Sequence, residues 1–131
     1  MSQRRNVSSE SEFEAAVGYS RAVRVGPSVA VSGTTAPGDT IADQAREALR
    51  RIETALIEAG ASLSDVVRTR MFVTDISRWR EVGAVHAEVF GQIRPAATMV
   101  EVSALISPEL MVEIEADAYV NGENEPSGSG T

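Results

Sequence analysis

Near its C-terminal end the chain reads Val112-Glu113-Ile114-Glu115-Ala116-Asp117-Ala118-Tyr119-Val120, an unbroken alternation of apolar and polar side chains. A period of two marks a β-strand, because successive side chains leave a strand on opposite faces. No helix could bury this stretch, since at about 100° per residue its apolar side chains would be scattered around the whole circumference. The strand therefore has one side for a core, formed by Val112, Ile114, Ala116, Ala118 and Val120. The other side carries Glu113, Glu115, Asp117 and Tyr119. Any fold for this chain must contain a sheet with one apolar face to cover and one charged face to explain.

The covering layer is legible upstream. Ile41, Ala45, Ala48, Leu49, Ile52 and Leu56 recur at helical spacing behind a cap at Asp39 or Thr40, and Gly60 is a natural left-handed stop. Asp75 or Ser77 caps a second helix over roughly Arg78–Phe90, with Trp79, Val82, Val85 and Val89 as its apolar stripe. Gly26-Pro27-Ser28 separates two β-branched runs, Val23–Val25 and Val29–Val31, as a hairpin turn does. Further strands are expected at Val66–Thr74 and Thr98–Ala104. The order is β-β-α-β-α-β-β, which packs most simply as an α+β two-layer sandwich with both helices on one face. With 131 residues there is material for one core. The expected domain spans 13–120, preceded by a loose N-terminus (1–12) and followed by a flexible tail (121–131).

Absences narrow the chemistry. There are no cysteines and one histidine, His86, so thiolate metal sites, thiol nucleophiles and histidine pairs are excluded. All 12 basic residues are arginine. Without lysine there is no Schiff base and no Walker-type phosphate loop. The net charge of −7 argues against nucleic acid as a partner. No apolar run reaches the ~20 residues of a membrane helix. The polar N-terminus has no secretory pattern, so a cytoplasmic location is expected. Nothing calls for a cofactor or a metal.

On the charged face, Arg68 and Arg70 of the third strand share a side, opposite Val67, Met71 and Val73. Met99, Glu101 and Ser103 share one on the fourth. Such a face is either solvated or an assembly surface that cradles a ligand. Arg94 precedes Pro95 and is expected to be extended; it pairs with a surface acid or a carboxylate ligand. Tyr19 opens the first strand, where it holds a ligand or fills a subunit contact. His86 reads as a partly exposed helix residue.

Four segments carry a resemblance: Gly18-Tyr19-Ser20-Arg21-Ala22-Val23-Arg24-Val25-Gly26, Val29-Ala30-Val31-Ser32-Gly33-Thr34, Arg94-Pro95-Ala96-Ala97-Thr98-Met99-Val100-Glu101-Val102, and Val112-Glu113-Ile114-Glu115-Ala116. Together, and in order over about residues 17–120, they resemble the RidA (YjgF/YER057c/UK114) family. The resemblance implies a chorismate-mutase-like fold and a homotrimer with small-molecule clefts between subunits. It also implies hydrolysis of enamines and imines to 2-keto acids and ammonia. Tyr19 corresponds to the tyrosine at the cleft mouth, Gly33 to the small residue lining the pocket, and Glu113 to the acid that orients water. Thr98 falls on a serine position.

One departure stands out. The arginine that grips the substrate carboxylate in active members is replaced here by Ala97. A bidentate arginine–carboxylate contact is worth ~10²-fold in affinity where solvent is excluded. Arg21, two residues from Tyr19, is the first candidate to replace it, and Arg70 the second. The expectation is a trimeric RidA-like protein that binds small metabolites, with a hydrolase or deaminase activity on imine- or enamine-like compounds other than simple amino-acid enamines. The alternative is a non-catalytic sensor or chaperone-like binding module. RNA cleavage is disfavoured by the acidic charge and the lack of a histidine pair.

Overall fold

The computed structural model describes residues 3–122, with elements β1 (Arg4–Val7), α1 (Glu12–Val17), β2 (Ala22–Val25), β3 (Ser28–Thr34), α2 (Ile41–Glu58), β4 (Val66–Val73), α3 (Trp79–Phe90), β5 (Ala96–Glu101) and β6 (Val112–Tyr119). The strands form one sheet in the order β1-β2-β3-β6-β4-β5. Neighbours are antiparallel except β4 and β5, which run parallel. Since β6 is antiparallel to both β3 and β4, those two strands are parallel to each other, and α2 is the crossover between them. α3 is the crossover from β4 to β5. Both helices lie on one face, and the alternating strand β6 enters last, into the centre of the sheet.

Local chemistry explains the elements. Val25 pairs with Ser28 across Gly26-Pro27, where Gly26 has φ +59° ahead of proline, as a two-residue hairpin turn favours. The Thr40 hydroxyl accepts from the Asp43 N–H at 3.0 Å and caps α2. Gly60 (φ +81°) ends the helix in the left-handed conformation, and Arg24 donates to the Ala59 and Gly60 carbonyls. The α2 residues expected in the core are all buried, as are Val112, Ile114, Ala116 and Ala118 on β6 and Val120 just after it. Buried Gln44 ties the loop before β6 down, donating to Gly38 and Glu109 carbonyls and accepting from the Met111 N–H.

Several expectations are corrected. The N-terminus is not loose over its whole length: β1 pairs with β2, and α1 follows it. Val67 is not core but 52% exposed. The β4–β6 register slips between Val66 and Arg68, so Val67 is a bulge residue and Val66 takes the buried place. Trp79 is largely exposed, stacked under the Arg80 guanidinium 4.5 Å from its ring centre. Met99 and Glu101 pair with Met71 and Val73, which places them on the helix-facing side rather than the charged side. Glu101 there accepts from the Ile76 N–H at 2.9 Å. Arg94 is left-handed (φ +58°), its N–H bonded to the Phe90 carbonyl at 2.7 Å, so the end of α3 overrides the extended bias that Pro95 imposes. The expected tail falls almost wholly outside the described residues.

Candidate functional site

The site is built on a break in the sheet. Between β3 and β6 the register passes from Val31↔Ala116 to Thr34↔Ile114, so Ser32 and Gly33 together oppose Glu115. A bulge of this kind bends the strand and redirects its backbone. Here it brings the Gly33 backbone against Glu113. A Cβ on Gly33 would lie 2.1 Å from Oε2 of Glu113, so only glycine leaves this carboxylate its place.

Arg21 stands on the other side of Gly33. Its Nη2 donates to the Gly33 carbonyl at 2.7 Å, and its guanidinium carbon lies 5.8 Å from the centre of the Tyr19 ring. Its Nε is buried without a hydrogen-bond partner among the described residues. Tyr19, Arg21, Gly33 and Glu113 thus meet at one place.

The electrostatics of this cluster are uneven. Burial raises the Glu113 carboxyl above its ordinary range, the Glu115 charge raises it further, and Arg21 partly offsets both. Glu115 and Asp117 are engaged with Arg70, whose Nη1 donates to them at 3.2 and 3.1 Å. Arg70 is therefore occupied by the sheet's own acids, and it neighbours Thr98 across the β4–β5 register. Glu14, which the sequence reading passed over, is 7% exposed. Burial opposes its charge, but the Ser9 hydroxyl and N–H and the Ser8 hydroxyl outweigh it and hold the carboxyl below its usual range, with Arg21 adding attraction. Ser11-Glu12-Phe13-Glu14 has the spacing of a capping box, but the Ser11 hydroxyl accepts from the Phe13 N–H and the Glu14 carboxylate reaches back to Ser8 and Ser9 instead.

Ala97 and Thr98 stand apart from this cluster. Ala97 pairs with Thr69, which in turn pairs with Ala116. That is two strand spacings, about 10 Å, from β6 and three residues, again about 10 Å, along it from Glu113. Ala97 also faces the helices, whereas Glu113 faces away from them. One chain cannot close both groups on one small molecule. Beside Ala97, buried Thr69 hydrogen-bonds Nε2 of His86 at 2.9 Å. The histidine is half-buried against Phe90, and that burial lowers its pKa.

This architecture is shared with solved proteins. A YjgF/YER057c/UK114 family member from Mycobacterium tuberculosis matches with a TM-score of 0.89 and 72% sequence identity, over 90% of this chain and all of that one. The six-stranded sheet and the helix layer over it are the fold of a protein of the YjgF class. Residues 9–120 match the family described as endoribonuclease L-PSP, and the chain belongs to that family. A RutC family protein of Pyrococcus abyssi is 36% identical over 110 residues, covering 77% of this chain and 85% of that protein. The 3-aminoacrylate deaminase RutC of Acinetobacter baylyi is 37% identical over 83 residues, 63% of this chain and 64% of that one. No helix among the described residues is long and apolar enough to cross a membrane.

Proposed function

We propose that this protein binds a small metabolite in clefts between the subunits of a homotrimer and hydrolyses an imine- or enamine-like compound there. The observation that carries this reading is Glu113, a half-buried carboxyl raised above its ordinary pKa and set against a bare glycine backbone, with Arg21 opposite. A carboxyl raised above its ordinary range keeps its proton to higher pH and is a better placed proton donor than a free one. The deaminase activity in the name of the Acinetobacter relative supports the reaction class.

The chemistry balances with water alone. An enamine takes a proton on carbon from protonated Glu113 and becomes an iminium ion, leaving Glu113 as the carboxylate. The carboxylate then accepts a proton from water as the water oxygen bonds to the iminium carbon, giving a neutral carbinolamine. The carbinolamine returns a proton to nitrogen, the carbon–nitrogen bond breaks, and ammonia leaves with the electron pair. The product is a carbonyl compound. Tyr19 and the backbone N–H groups near Thr98 hold the electrophile. The separation of Ala97 and Thr98 from Glu113 within one chain supports a cleft completed by a second copy.

Arg21 is at most a partial substitute for the carboxylate grip that Ala97 lacks, because its bond to the Gly33 carbonyl makes it a fixed rather than a reaching group. The test is 2-aminoacrylate released by a coupled pyridoxal enzyme, with keto acid as readout. We expect slow turnover, and a further loss of about 10²-fold in Glu113→Gln. Turnover as fast as in a relative with the arginine would refute the loss of the grip. The second reading, a non-catalytic binding module, is favoured by the bare methyl group at Ala97. It predicts ligand-dependent thermal stabilisation with no product from any imine. A monomer in light scattering at micromolar concentration would remove the composite cleft.

A further inference from the structure

Neither Ser32 nor Gly33, the bulged residues of β3, has a register partner of its own on β6. Their carbonyls need other donors, since an unpaired backbone group shielded from water is costly. Side chains supply them. The Thr34 hydroxyl donates to the Ser32 carbonyl at 2.8 Å, and Nη2 of Arg21 donates to the Gly33 carbonyl at 2.7 Å. Arg21 is itself tied to the strands on either side of β2. Its N–H donates to the Val7 carbonyl at 2.8 Å, and its carbonyl accepts from the Ser32 N–H at 3.0 Å. The guanidinium leaves Nε buried without a partner among the described residues. A donor left over in this way is a cost to the fold. It is retained on a side chain whose hydrogen bond goes to the one glycine that makes room for Glu113.

We propose that Arg21 is a positioning residue for Glu113 rather than an anion grip for the substrate: it fixes the Gly33 peptide against which the carboxyl rests and holds a positive charge beside it. This inference rests on the reading of Glu113 as the reacting carboxyl. The surroundings of Glu113 leave this task to Arg21. From β3 it meets bare Gly33, and across the register β4 presents Phe72, with Val100 of β5 beyond. The charges around it are Arg21, Glu115 on its own strand, and Arg70 of β4, which Glu115 and Asp117 engage. Burial and Glu115 push the carboxyl up, and Arg21 pulls against them. Glu14 of α1 draws on the same guanidinium while the Ser8 and Ser9 donors hold its own carboxyl low.

The experiment titrates the Glu113 carboxyl by carbon-detected NMR in the full chain, its resonance assigned by its loss in Glu113→Gln. In Arg21→Gln the midpoint should move upward, because the attraction that opposes burial is gone. Arg21→Lys keeps the charge but loses the planar fork. Its midpoint should return toward the wild-type value, while the Thr34 amide nitrogen, in the same peptide as the Gly33 carbonyl, stays shifted. Arg80→Gln, on the Trp79 stack, should change neither signal. In the coupled 2-aminoacrylate assay, Arg21→Gln should lower kcat about tenfold and keep KM within about twofold of wild type. A raised KM with kcat intact would make Arg21 the grip and overturn the proposal, as would an unmoved Glu113 midpoint in Arg21→Gln. The titration needs no turnover. A wild type that hydrolyses no imine sinks the catalytic reading, and the midpoint still decides whether Arg21 governs Glu113; turnover with an unmoved midpoint keeps that reading and sinks the role of Arg21.

Discussion

Glu113 is kept in a place that costs stability. Its folded-state pKa is raised, so the native protein holds the proton more tightly than the unfolded chain does. Stability therefore falls as pH rises from the ordinary carboxylate range through the raised value. Glu113→Gln should raise the melting temperature at pH 7 and leave it nearly unchanged near pH 4, as read by calorimetry at the two pH values. The activity profile should show the same group: the neutral carboxyl is the proton donor, so the rate should fall as pH rises through a value above the usual glutamate range. Gly33→Ala separates placement from folding. The nearest obstacle to its Cβ is the carboxylate end of Glu113, a flexible side chain. The melting temperature should change little while turnover falls about tenfold or more, because a displaced acid is no longer in hydrogen-bond reach. Equal wild-type and variant rates would show that Glu113 does not act at this spot. Ala97→Arg is the complementary gain: on the exposed edge strand it has room, and it should raise kcat/KM for 2-aminoacrylate.

At the scale of elements, the N-terminal hook deserves a measurement of its own. Glu14 gathers the Ser8 and Ser9 donors at the start of α1 and sits beside Arg21. Its carboxyl is held low, so its contribution is full above the ordinary glutamate pKa and is lost as pH falls through the lowered value. Glu14→Gln should cost about 1–3 kcal/mol, the usual range for a broken buried charge-assisted network. Hydrogen exchange should rise first in β1 and α1, before the rest of the sheet. The same elements show where the sequence was hard to read. The six apolar positions of α2 and the alternation of β6 were plain, because one periodicity runs the length of each. Arg4–Val7 carries no such pattern and only Val7 is buried; its place in the sheet is decided by pairing with β2, beyond α1. In β4 a single inserted residue, Val67, exchanges the faces on either side of it, and alternation alone cannot reveal a bulge. β5 was read with the wrong face inward because both of its faces are sparsely apolar. Tyr19, Gly33 and Glu113 came from the resemblance, while their junction with Arg21 depends on the bulge at Ser32-Gly33, which no motif announces.

For the whole molecule, the core ties the helix layer to the strand that carries the acid. Ile114 is fully buried between Glu113 and Glu115 on the opposite face. Ile114→Ala should destabilise the fold by about 2–5 kcal/mol in denaturant titrations, by lost burial and the cavity left behind. Light scattering of the same variant tests whether assembly depends on a firm β6. The hook described above also has a practical bearing. Arg4 begins β1, the chain after it carries Ser8 and Ser9 to Glu14, and Glu14 neighbours Arg21. A substitution that unpairs β1 from β2 is therefore expected to reach Arg21 through Ser8, Ser9 and Glu14.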